Sequence, residues 1–95
     1  MAKAKVLSEK INLTARVFKE GKMYVSHNPE LNVASCGNTA EEATLNLRDA
    51  VSGFLKSANK LGTLEEILEE SGFTHQKSEW VEREVVATNQ LSLTI

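Results

Sequence analysis

A chain of 95 residues has room for one domain built on a single two-layer core. Its 41% hydrophobic and 25% charged residues lie near the globular average, which argues against disorder, and its longest apolar runs, 23–25 and 85–87, are far short of the about 20 residues a spanning helix needs. Eleven Lys and Arg against thirteen Asp and Glu give a net charge of −2 with no basic cluster, so strong direct binding to nucleic acid is not expected. No apolar leader follows Lys3 and Lys5, and the lone Cys36 has no internal disulfide partner. Both features predict a cytoplasmic protein.

Residues 10–17 alternate without a break, Ile11, Leu13, Ala15 and Val17 on one side and Lys10, Asn12, Thr14 and Arg16 on the other, which predicts one half-buried strand. Gly21 supplies a tight reversal, so 22–27 should return antiparallel. Pro29, which has no N–H to donate, makes Asn28-Pro29-Glu30 a corner before a third strand at 32–36. The region 8–36 is thus predicted to be a three-stranded antiparallel meander.

A helix is predicted over 39–61. Thr39 and Glu42 have the spacing of a capping box, and Ala43, Leu47, Ala50, Val51, Phe54, Leu55, Ala58 and Leu61 form one apolar stripe that should lie on the sheet. Gly53 lies at the margin of that stripe, where close packing on another backbone would explain a mid-helix glycine. Gly62 ends the helix, Thr63 and Glu66 repeat the capping box for a short second helix within 63–71, and Gly72 closes it. After a polar link, 79–95 reads as a C-terminal strand segment. Val81, Val85, Ala87, Leu91, Leu93 and Ile95 share one parity, so the segment is either one long strand or a hairpin turning at 88–90. The expected fold is α+β, a single domain over 1–95 with no separate DNA-binding domain.

Tyr24-Val25, Asn28-Pro29-Glu30-Leu31, Ser35-Cys36-Gly37, Thr39-Ala40-Glu41-Glu42-Ala43, Asn46-Leu47, Ala50 and Gly72-Phe73 occur in an order that resembles the HicB family of antitoxins. The resemblance covers roughly positions 10–73. It implies a partial ribonuclease-H-like fold and a role in neutralising a HicA-like toxin, a small messenger-RNA-cleaving protein. Pro29, Leu31, Gly37, Thr39, Glu42, Ala43, Gly72 and Phe73 would be the structural residues of this motif. Many HicB proteins continue into a DNA-binding segment, whereas this sequence runs to Ile95 with strand-like character, so operator repression by this chain alone is not expected.

No enzyme is expected. A ribonuclease-H-like site would need carboxylates converging from strand centres on hard cations, and 10–17 has no acidic residue. His27 and His75 have no Cys or Asp at ligand spacing, and no P-loop, dinucleotide fingerprint or nucleophile elbow occurs, so neither metal nor cofactor is predicted. The expected function is protein binding, with Tyr24, His27, Glu30 and Leu45 as candidate partner contacts. Leu91, Leu93 and Ile95 are candidates for a homo-oligomer interface, since an unpaired strand edge there would invite aggregation. The alternative is a homodimeric regulatory protein without a toxin, and in either case Trp80 is expected in the core before a contact surface.

Overall fold

In the computed structural model, which describes residues 9–95, the expected meander is formed by β2 (Arg16–Glu20), β3 (Met23–Asn28) and β4 (Val33–Gly37), antiparallel in the order β2-β3-β4. Residue 8, the expected start of the strand region, and Lys3 and Lys5 lie outside the described residues. A two-residue turn joins β2 to β3, with Gly21 at φ 62°, so Glu20 faces Met23 and Phe18 faces Val25. Paired residues on neighbouring strands point to the same face. One face therefore carries Val17, Ser26, Asn28 and Gly37, and it lies under α1 (Ala40–Leu61).

Helix α1 begins where the capping residues predict. The Thr39 hydroxyl accepts the Glu42 N–H at 3.0 Å, while the Glu42 carboxylate reaches back to the N–H of Asn38, one residue before the cap. Ala43, Leu47, Val51 and Ala58 are buried along its inner face. The buried Ser26 hydroxyl donates to the Ala43 carbonyl at 2.7 Å, fixing the first turn over β3. Gly37 is required by the same approach, since a Cβ there would lie 2.6 Å from the Ala43 nitrogen. Gly37→Ala should therefore destabilise the fold by about 1–3 kcal/mol, as overpacking does, read as a lower urea midpoint.

Gly53 departs from expectation. A Cβ there would meet nothing within 4 Å, so close packing does not explain this glycine. Gly62, at φ 78°, ends α1 as expected, but the second capping box does not form. With only Gly62 and Thr63 between the helices, the Thr63 N–H and hydroxyl both turn back to the Ala58 carbonyl of α1, so the hydroxyl does not cap α2 (Leu64–Glu70).

The predicted strand 10–17 is divided. Residues 12–15 separate β1 (Lys10–Ile11) from β2, and β1 belongs to a second sheet that the sequence did not predict, in the order β1-β6-β5. Here β5 (Phe73–Gln76) occupies the start of what reads as a polar link and turns through Lys77 (φ 55°) into β6 (Glu79–Glu82), which runs parallel to β1. The cause of the division is a polar pin. The Thr14 N–H and hydroxyl donate to Glu30 at 3.0 and 2.6 Å, and the Asn28 amide donates to the Thr14 carbonyl at 2.8 Å. Both backbone groups of Thr14 are thereby taken out of any ladder.

The same pin corrects the C-terminal prediction: of the segment 79–95 only Glu79–Glu82 is strand, and 83–95 holds none. Carrying on the register that sets Lys10 against Glu79 would place Arg83 against Thr14, whose N–H and carbonyl are already bonded. On the other side β5 begins at Phe73, opposite Glu82, so Arg83 has no strand neighbour there either. The main apolar cluster, Ala58, Leu64, Leu68, Phe73 and Trp80, lies where the end of α1, α2 and the β5–β6 hairpin meet, with Ile11, Leu13 and Leu31 against it. Trp80 is core, as the sequence suggested.

Candidate protein-binding face

The four partner candidates do not share one surface. Tyr24 is half-buried on the helix side of the sheet, with the Lys19 ammonium 5.9 Å from its ring centroid. Leu45 is 56% exposed on the outer side of α1. His27 is on the opposite sheet face, its Nε2 2.9 Å from Asn32 Oδ1. Glu30 is held at the corner, where its carboxylate accepts from Thr14 and from the Asn28 amide. Burial pushes the Glu30 carboxyl up, but hydrogen bonds from the Thr14 hydroxyl and N–H, its own N–H and the Asn28 amide outweigh this and hold it below the usual value. Among the motif residues, Pro29 occupies the turn beside this pin, Leu31 packs against the core, Gly72 adopts φ 96° and Phe73 is 3% exposed.

What the strand pairing brings together is a face that the sequence reading missed. Phe18, Val25 and Cys36 form a row across β2, β3 and β4, flanked by Arg16, His27 and Ala34 on one side and by Glu20 and Met23 on the other. This is the face turned away from α1, and Phe18 and Met23 are 49% and 40% exposed. Large apolar side chains held side by side on a rigid sheet, with charges at the rim, suit association with another protein. Cys36 is a free, exposed thiol in this row. The signal was in the sequence: once Val17 is placed under the helix, Phe18 and its cross-strand neighbours must point the other way.

Two other arrangements lie apart from this row. Glu9 accepts from Trp80 Nε1 at 3.1 Å and lies 2.9 Å from His75 Nε2, while the His75 and Trp80 rings stack with centroids 4.7 Å apart, so this cluster ties β1 to the β5–β6 hairpin. A groove of about 780 Å³ runs between residues 12–15 and α1, lined by Leu47, Val51 and Leu55 beside Thr44, Arg48 and Ser52. Among the described residues no three His, Cys, Asp or Glu side chains are grouped as metal ligands would be, and no helix is long and apolar enough to cross a membrane. No family model, curated protein or solved structure matches the chain.

Proposed function

We propose that this chain is a HicB-type antitoxin, a non-catalytic module that neutralises a small HicA-like messenger-RNA-cleaving toxin by direct protein contact in the cytoplasm. The observation that carries the reading is the uncovered apolar row Phe18, Val25 and Cys36 with Met23, which offers a protein-binding face. The family resemblance of residues 10–73 supplies the kind of partner. A partial ribonuclease-H-like reading of the fold is supported by the parallel β1–β6 pair beside an antiparallel meander with a helix on one side. The net charge of −2 is compatible with a basic, RNA-binding partner, since opposite charge speeds encounter and sets orientation.

The test is co-expression with a small basic protein of about 60–80 residues, the size of a minimal domain, encoded beside this chain. Growth arrest and messenger-RNA cleavage by that protein alone should be relieved when the chain is present. Phe18→Glu, which changes an exposed side chain, should weaken the complex by about 30-fold or more if Phe18 is a contact hot spot, because that corresponds to about 2 kcal/mol. Absence of relief by the wild-type chain would sink the antitoxin reading. A stand-alone homo-oligomeric regulator is the second reading, favoured by the exposed apolar segment 83–95.

A further inference from the structure

We infer that residues 83–95 are an exchange strand, which pairs in a second copy of this chain along the open outer edge of β2. The inference does not depend on a toxin. It begins from a segment whose sequence and surroundings disagree. Residues 85–95 are rich in Val, Leu, Thr and Ile with apolar side chains at alternate positions, yet Val85, Val86, Leu91, Leu93 and Ile95 are 71–114% exposed and no residue beyond Glu82 is in a strand. The radius of gyration is 15.8 Å, against about 13 Å for a compact chain of this size, and the longest extent is 51 Å. An apolar, strand-forming segment held out in water is an association site or an aggregation hazard.

The acceptor follows from the meander. In the β2–β3 hairpin the two-residue turn makes Glu20 and Met23 a hydrogen-bonded pair, so Phe18 and Arg16 also bond inward and the N–H and carbonyl groups of Val17 and Lys19 point outward. Among the described residues no strand pairs on that side. The other edge of the sheet is blunted, because the Cys36 carbonyl of β4 accepts from the Asn46 amide of α1 at 2.8 Å. The polar pin at Thr14 also keeps the segment from continuing beside its own strand past Glu82. A strand arriving from a second copy meets none of these obstacles and, laid parallel to β2, can set Leu91 or Leu93 beside Phe18, where its N–H faces the outward carbonyl of Val17 and its carbonyl the outward N–H of Lys19, extending the apolar row.

The contact approaches the size of a stable interface. Reciprocal exchange in a two-fold dimer brings the thirteen residues 83–95 and the five of β2 from each copy into the interface, eighteen a side, just under the roughly 20–30 residues a side of a standard complex. Two variants test it. Leu93→Pro removes a ladder donor from a segment outside the folded body, and Lys19→Pro removes an outward N–H without taking a bond from the β2–β3 ladder.

Light scattering after size-exclusion chromatography should give twice the 10.5 kDa chain mass for the full wild-type chain and a single chain mass for each variant, with the helical circular dichroism unchanged. An equimolar mixture of the two variants should recover a dimer, since one carries an intact segment and the other an intact edge. A monomeric wild type, a dimer that survives Leu93→Pro, or a mixture that stays monomeric would each overturn the inference. Should Lys19→Pro fail to fold, the response to Leu93→Pro decides, because that residue is 81% exposed when wild type.

Discussion

Trp80→Ala is expected to destabilise the fold by about 3–5 kcal/mol, the range for truncating a buried aromatic residue. Trp80 is 6% exposed and packs with Ala58, Leu64, Leu68 and Phe73, so truncation opens a cavity at the junction of both helices and the second sheet. It also removes the indole donor that ties residue 9 to β6 and the ring stacked on His75 within the β5–β6 hairpin. Against the roughly 5–15 kcal/mol of a typical domain this is a large fraction. Trp80→Phe keeps most of the packing and loses the donor, so it should cost about 1 kcal/mol. Urea unfolding followed by far-ultraviolet circular dichroism measures both. A loss below about 1 kcal/mol for the alanine variant, less than a usual cavity cost, would mean that the second sheet is not integral to the core.

The elements legible in the sequence are those whose signals are local. Thr39 and Glu42 mark the start of α1, Gly62 marks its end, and the glycine and proline punctuation gives the meander. The division of the first strand was not legible, because its cause is Glu30 reaching Thr14 across sixteen residues, and no period within 10–17 encodes that. Strand β5 was missed for a different reason. Thr74, His75 and Gln76 lack apolar alternation, and its turn uses Lys77 at positive φ where a glycine would have given the signal.

The candidate site was only partly readable for a related reason. Assigning Ile11, Leu13, Ala15 and Val17 to one continuous buried side drew attention to the face under the helix and away from Phe18, Met23 and Val25. His27 is the one partner candidate that lies on the open face. Glu30, chosen as a contact, has its carboxylate engaged in holding the strand break, a role set by tertiary proximity.

That break should respond to a single atom change. Asn28 is 1% exposed, and its amide donates to the Thr14 carbonyl and to Glu30 at 2.8 and 2.7 Å while its oxygen accepts the Leu31 N–H at 2.8 Å. Asn28→Asp keeps the shape and the acceptor but replaces both donated bonds with a carboxylate facing a carbonyl and the Glu30 carboxylate. The expected loss at pH 7 is about 3–5 kcal/mol, as for other uncompensated buried charges.

The pH dependence distinguishes this cause from a packing defect. In the wild type the lowered pKa of Glu30 gives stability that is fully present above its unfolded value of 4.5 and is lost as the pH falls through the lower folded value. In the Asn28→Asp variant, burial and the neighbouring Glu30 carboxylate should raise the pKa of the introduced carboxyl above its unfolded value. Its penalty is therefore present at neutral pH and relieved on acidification, when the protonated acid regains a donor. The gap between Asn28→Asp and wild type should narrow as the pH falls from 7 towards 5, whereas Asn28→Ala, which loses the same bonds without adding charge, should keep its gap over that interval. Chemical unfolding at stepped pH measures all three chains. A gap for Asn28→Asp that stays constant down to pH 5 would mean that the new carboxylate has turned to solvent, and that Asn28 is not what holds Thr14 out of the ladder.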